Sequence, residues 1–482
     1  MQTTTARHRD APLAEIHAAA GALHGVLHVI HGHGGGTEHH ARFLIDSTRT
    51  RYRHYLAFAL GDAWRVEEHR ADGLVRTFDR VRAEGESWPR FVGSICEHFA
   101  IDLIHLHNIS GCRDGIVSAL ATLGVPYGYT VHDLSFACPT ILFLGVDGKY
   151  CHQQTDPDVC QACLGAQPVF AHINISDWRG QHRALLARSA FLIAPSRFAA
   201  SALGRYYPQH AIAVVSHAKA SAPSAQSTEG AASETRPLRS LSLALPDDGV
   251  PTVAVLGAVG PDKGARRLER LVELVRAGGA RLRFVLIGYM DVEHGPWQSD
   301  DAVLTIHGRY EPRDLPALLA HYRARIVAFP SAGPETFSFT LSEAWEAGLP
   351  VVVPPFGALG ERVADAGAGW LWTDEEWSDE AKMLARVAEI LAPANAASVA
   401  QMANRARGVA LAAPETMVES TLRIYGDAIA ASRQAMRTTV PAKAPNPADG
   451  RTAWSPMRTN VRRVLDRLTP ARLRKLLKTR AR

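Results

Sequence analysis

The sequence predicts an α/β protein of two parallel-sheet domains facing each other across a cleft, and three observations carry that expectation. Its 482 residues exceed one ordinary domain. Short apolar runs alternate with longer helical patterns in both halves, as parallel βαβ units require. Between the halves, over residues 219–249, the composition turns to Ser, Ala, Pro, Glu and Thr and loses its apolar periodicity.

In chain order, residues 1–20 read as a leader and 21–218 as a first Rossmann-like domain on the acceptor side of the cleft. Val26–Ile30 is a strand, a glycine loop follows, and Glu38–Thr50 is a helix; Leu103–Leu106, Tyr127–Val131 and Phe191–Ala194 repeat the strand signal. A Cys-rich insertion, 138–164, reads as loop. Beyond the linker, residues 250–412 form the second Rossmann-like domain, with strands at Val253–Leu256, Arg283–Ile287, Val303–Ile306, Ile326–Phe329 and Pro350–Val353. A C-terminal helix over 413–435 and a basic tail over 436–482 close the chain.

Charge narrows the function classes. The net charge is +5, but residues 451–482 hold eleven Lys or Arg against one Asp, so residues 1–450 carry −5. A nucleic-acid binder would be basic on its folded body, so none is expected as partner. No run of eighteen apolar residues occurs, and the start lacks a basic region leading into a long apolar core. Six cysteines, four of them clustered, suit a reducing compartment, and the expected location is the cytoplasm. Val461, Val464, Leu465 and Leu468, then Leu473, Leu476 and Leu477, put an apolar face on the basic tail, which suits the anionic inner face of a membrane.

Val253 to Gly264 reads as strand, tight turn and helix start. Gly257, Gly260 and Gly264 let a backbone approach an anion, and Lys263 adds a cation beside the amide-rich helix end. A packed turn with a solvated lysine would look the same. GxGxxG is absent, which argues against a hydride enzyme. Pro334 to Pro350 places Glu335 at a strand end and Glu343 eight residues on, within a helix. At ~1.5 Å per residue they stand at most about 12 Å apart along it. Carboxylate pairs that cleave a glycosidic bond stand ~5–9.5 Å apart, so this pair suits the two ends of an extended ligand better. Two carboxylates serving only the helix dipole and solvent are the plainer alternative.

His31-Gly-His-Gly-Gly-Gly-Thr-Glu38 follows the first strand, and Gly34, Gly35 and Gly36 present bare backbone. His31, His33, His39 and His40 read as polar loop residues, and His105 and His107 as packing or rim. Tyr129-Thr-Val-His-Asp133 ends another strand, placing His132 and Asp133 at the same rim. Cys138, Cys151, Cys160 and Cys163, spaced C-x12-C-x8-C-x2-C, can supply tetrahedral structural zinc or stand as four reduced thiols. Asp156-Pro157-Asp158 lies inside that insertion rather than at a strand end and is not read as a metal motif.

Glu335-x7-Glu343 with Ala-Gly-Leu-Pro-Val-Val after it, Gly257 to Gly264, and Ala194-Pro-Ser-Arg-Phe198 together resemble glycosyltransferase family 4, the group 1 bacterial enzymes with the GT-B fold, over roughly residues 25–430. The resemblance implies a retaining hexosyltransferase that takes a nucleoside-diphosphate sugar and a glycan or lipid-linked glycan acceptor in cell-surface polysaccharide or lipopolysaccharide synthesis, with no metal in catalysis. It implies that Glu335 contacts the transferred sugar, Glu343 the ribose and Lys263 the diphosphate. Gly34, Gly35 and Gly36 would face the donor, with His132 and Asp133 at the reaction centre. Many members carry Arg directly after the first glycine of the phosphate loop; here it is Ala258, so Lys263 and amides, or another Arg such as Arg309, would carry that role. A weakly active scaffold on the same fold, or a nucleotide-sugar epimerase, are the rival readings.

Overall fold

The computed structural model describes residues 23–32, 34–218, 243–290 and 295–438. The leader over 1–20, His33, most of the linker and the tail beyond 438 lie outside the described residues.

The first domain holds an eight-stranded sheet: β1 (Gly25–Ile30), β2 (Arg53–Leu60), β3 (Ala63–His69), β4 (Val75–Val81), β5 (Ile101–Leu106), β6 (Tyr127–Thr130), β7 (Phe191–Ala194) and β8 (Ala213–Val214), in the order β4-β3-β2-β1-β5-β6-β7-β8. From β2 to β8 the neighbours are parallel, as expected. One edge departs from that expectation, because β2-β3-β4 is an antiparallel meander. Leu60 and Ala63 pair across Gly61-Asp62, a two-residue hairpin link. β3 and β4 are rich in charge and leave Leu74, Val75 and Val81 exposed, so they lack the apolar run that marks a buried parallel strand.

The second domain holds β9 (Thr252–Val259), β10 (Arg283–Met290), β11 (Trp297–Gln298), β12 (Leu304–Ile306), β13 (Ala324–Ala328), β14 (Val351–Val353) and β15 (Gly369–Leu371), ordered β11-β12-β10-β9-β13-β14-β15. All pairs are parallel except β11 with β12. Val253, Val255, Phe284 and Leu286 bury one face, and Ala254, Leu256, Val285 and Ile287 the other, which is why these strands read as continuous apolar runs.

Two connections set the domains against each other. The helix Pro414–Thr438 returns to the first sheet, where Met417, Leu422 and Tyr425 pack with Val26, Leu103 and Ile193. At the cleft, Ser196 Oγ donates to Thr336 O (2.8 Å), and the amides of Arg197 and Phe198 donate to the Glu361 carboxylate. The Ala194–Phe198 segment is therefore a latch between domains as well as a strand end. The sequence read the Cys-rich insertion as loop; the structure gives it a helix, Pro157–Gly165, with Pro at its first position and the Asp156 carboxylate accepting from the Asp158 amide.

Candidate active site

In open parallel sheets ligands bind beyond the strand C-termini where the strand order reverses. In the second sheet that point lies between β9 and β13. The chain leaves β9 at Gly260, makes a single 3-10 turn over Pro261–Lys263, and enters the helix Ala265–Arg276 through Gly264. Gly264 has φ 91°, and a Cβ there would lie 1.9 Å from the carbonyl oxygen of Pro330, just past β13. The loop that presents Lys263 thus lies directly against the segment that presents Glu335. Gly264→Ala is expected to cost about 3 kcal/mol, from the left-handed backbone plus the clash. Urea unfolding of the variant measures it, and an unchanged midpoint would show that the two loops do not touch.

Lys263, Ser331, Glu335 and Thr340 line one small crevice floored by Val255, Leu256 and Phe329. Ser331 Oγ donates to Glu335 Oε1 (3.1 Å), and the Glu335 carbonyl accepts from the Ala358 amide (2.8 Å), so both ends of the residue are held. The turn after it is strained: Ser338, ahead of the helix Phe339–Glu346, has φ 73°. Arg362 holds that turn. Its Nη1 donates to the carbonyls of Phe337 (3.0 Å) and Ser338 (2.8 Å), its Nη2 to Ser342 Oγ (2.7 Å), and its guanidinium lies over the Phe337 ring at 4.2 Å. Burial lowers the Arg362 pKa to about 10, while the Glu335 and Glu361 charges oppose the fall. No sequence motif singled out Arg362; it becomes visible only when the helix Gly357–Ala366 folds against the turn.

Glu343 lies on the helix Phe339–Glu346 but not in the crevice lining; its Oε2 accepts from Tyr310 Oη (3.0 Å). Burial and then the Glu343 charge raise the Tyr310 pKa. The structure therefore puts Lys263 and Glu335 on one crevice lining and Glu343 beside the loop after β12. Arg309, considered above as a substitute cation, stacks over Tyr289 at 4.4 Å.

From the other domain, Gly34 and Gly35 have φ 72° and 82°, and Gly36 begins the helix Gly36–Thr48. A Cβ on Gly36 would approach the Phe339 ring to 3.3 Å, so the bare backbone faces the start of the helix Phe339–Glu346. Asp133 accepts from Asn108 Nδ2 (2.8 Å) and from the Ser135 amide (2.9 Å). The carbonyl of His132 accepts from Thr336 Oγ1 (2.7 Å), one residue from Glu335. Its ring is committed elsewhere: Nε2 lies 3.0 Å from His107 Nδ1, and Nδ1 lies 3.2 Å from His217 Nε2. The ring thus lies inside a histidine row.

The row runs His54, His28, His107, His132, His217, joined by contacts of 3.0, 3.0, 3.0 and 3.2 Å. Thr48 Oγ1 donates to Leu44 O (2.6 Å) and so accepts from His54 Nε2 (2.8 Å), which fixes the polarity: each Nε2–H donates to the next Nδ1 toward His54. Burial is the largest cause of the lowered pKa in all five, so the row is neutral; for His54 the value falls to about 3. His105 packs beside the row, its ring centroid 3.9 Å from that of His107, and hydrogen-bonds with Tyr425 Oη (2.5 Å) and Thr130 Oγ1 (2.7 Å). The reading of His105 and His107 as packing or rim, and of His40 as a polar loop residue, missed this buried network. Two histidines spaced by two in β5, at the strand period, were its one visible sign.

The four clustered cysteines are free thiols. Among the described residues, no three of them bring their sulfurs within 4.8 Å of one another. Instead Cys160 Sγ donates to Gln154 O and accepts from Arg179, Cys138 pairs with Thr140, and Cys163 accepts from Gln167. The helix Pro157–Gly165 and the buried Arg179, which donates to the carbonyls of Ala137 and Thr155, order the insertion.

Two facing α/β domains with glycine turns at both switch points define a GT-B glycosyltransferase fold. Residues 250–393 match the family model described as glycosyl transferases group 1. The matched stretch includes Lys263, Glu335 and Glu343. Among solved structures, the chain is similar to sucrose-phosphate synthase from Thermosynechococcus elongatus, at 15% identity and TM-score 0.55 over 85% of this chain and 100% of that one. It is similar to HepE of Anabaena in complex with UDP-glucose, at 16% identity and TM-score 0.53 over 83% and 99%. A third is the catalytic domain of starch synthase IV from Arabidopsis thaliana bound to ADP and acarbose, at 11% identity and TM-score 0.52 over 85% and 99%. No curated protein matches the sequence.

Proposed function

We propose that the protein is a retaining glycosyltransferase that moves a hexose from a nucleoside-diphosphate sugar to a glycan or lipid-linked glycan hydroxyl in cell-surface polysaccharide synthesis. The observation that carries this reading is the shared crevice of Lys263 and Glu335 at the β9–β13 switch point. The reaction releases a nucleoside diphosphate, so the protein's main task is to stabilise developing negative charge on its phosphate oxygens. Lys263 and the first amides of the helix Ala265–Arg276 do this, and the start of the helix Phe339–Glu346 adds its positive end. Glu335, held by Ser331 and Ala358, grips the sugar; Glu343 with Tyr310 receives the ribose. Gly34 to Gly36 close over the donor, and Asp133 orients the reacting groups. His132 acts as a positioning residue through its carbonyl on Thr336. On the retained face, the departing phosphate oxygen takes the proton of the acceptor hydroxyl as the new glycosidic bond forms.

Incubation with a panel of nucleotide sugars, with and without lipid-linked glycan, followed by mass spectrometry, tests the reading. Acceptor-dependent gain of one hexose mass supports it. Sugar interconversion without acceptor would mean an epimerase, and no turnover of any donor would leave a scaffold.

No helix of the described residues is long and apolar enough to cross a membrane. The +10 segment 451–482, with its apolar repeat, belongs in this reading as a peripheral anchor to an anionic surface that carries the acceptor. Deleting 451–482 is expected to abolish sedimentation with phosphatidylglycerol vesicles, and equal sedimentation of both forms would remove the anchor.

A further inference from the structure

Two groups of three histidines bring their ring nitrogens within 4.8 Å of one another: His28, His105 and His107, and His40, His132 and His217. Their hydrogen bonding separates them. In the first group every ring nitrogen already has a partner: His54 and His107 for His28, Tyr425 and Thr130 for His105, His28 and His132 for His107. In the second, His40 Nδ1 and His217 Nδ1 are buried with no hydrogen-bond partner among the described residues. His40 is 4% exposed and His217 3%. A buried polar atom left unpaired costs about 1–3 kcal/mol, and two such atoms on adjoining imidazoles, with ring centroids 3.9 Å apart, call for a common partner.

We propose that His40, His132 and His217 form a binding site for a divalent transition-metal cation of the zinc class, at the junction of the two domains. Three neutral imidazoles are a donor set that zinc favours, and they leave a further coordination position. The row's polarity supports the same site: His217 Nε2–H donates to His132 Nδ1, which leaves His217 Nδ1 as a lone pair beside the His40 ring, where His40 Nδ1 is unpaired as well, and His132 Nδ1 joins them as the cation replaces that hydrogen bond. His107, His28 and His54 then act as the outer hydrogen-bonded shell that orients a metal-binding imidazole.

The three ligands come from separate elements: the helix Gly36–Thr48, the end of β6, and the segment after β8. Phe337 and Phe339 of the second domain pack on His217, with ring centroids 5.1 and 5.8 Å away. A cation here ties three elements of the first domain into one rigid face against the start of the donor-side helix. This site is independent of the cysteines.

The test uses the full chain, stripped of metal by chelator and titrated with Co(II) alone and then Zn(II), with metal content by mass spectrometry and the visible spectrum of cobalt as readouts. The expected results are one equivalent per chain, the visible bands of low-symmetry cobalt, and displacement by zinc. His40→Ala and His217→Ala are each expected to weaken binding at least about 100-fold, and His107→Phe about 10–100-fold through lost orientation of His132. Cys160→Ser is expected to leave binding unchanged. If a histidine variant fails to fold by circular dichroism, the wild-type cobalt spectrum still decides. Absence of cobalt and zinc uptake by the wild type, or uptake lost in Cys160→Ser and kept in His40→Ala, would overturn the proposal.

Discussion

Between pH 7 and pH 5 the first domain is expected to lose about 4 kcal/mol of stability from two histidines alone, His54 and His182. Burial is the first cause in both, lowering their pKa values from 6.5 to about 3 and about 4. The unfolded chain binds a proton on each near pH 6.5, whereas the folded chain does so only much lower. The contribution is therefore complete above pH ~6.5 and declines as the pH falls from there toward the folded values, at about 1.4 kcal/mol per pH unit per group. His28 and His105, also lowered by burial, steepen the same slope. Carboxylates such as Glu67, whose pKa is lowered to about 2, lose their contribution only below the ordinary carboxylate range, so the window isolates the histidines. Urea midpoints across that window measure the effect, and His54→Gln should flatten it. A midpoint independent of pH from 7 to 5 would mean that these imidazoles are not buried neutral.

Removing the Lys263 ammonium is expected to lower kcat for transfer by about 10²–10³, the usual cost of one charge-stabilising donor. The side chain lines the crevice with Glu335 and is itself exposed, so Lys263→Ala should fold normally. Loss confined to KM would place Lys263 in ground-state binding only. Full activity would pass the role to the helix amides or to Arg309, which stacks on Tyr289 nearby.

How far the sequence foretold this molecule depends on whether a feature is local. Strand, glycine turn and helix start at Val253–Gly264 lie within a dozen residues, and the structure places β9, its 3-10 turn and the next helix there. Arg362 and Tyr310 escaped notice because their partners lie 20 and 33 residues away in sequence. The histidine row combines residues from β1, β2, β5, the end of β6 and the segment after β8. Only strand register, such as His28 opposite His105, brings them together. The antiparallel edge was missed because β3 and β4 carry charge where a buried strand would carry Val or Ile.

The central claim is that a nucleoside diphosphate sits between the 260–264 turn and the start of the helix Phe339–Glu346. Hydrogen exchange of the full chain with and without a saturating nucleoside diphosphate reads this directly. Slowed exchange at the amides of residues 262–266 and 335–341, and at 34–37 across the cleft, is the predicted result. Slowing confined to other segments, with these three unchanged, would contradict the account.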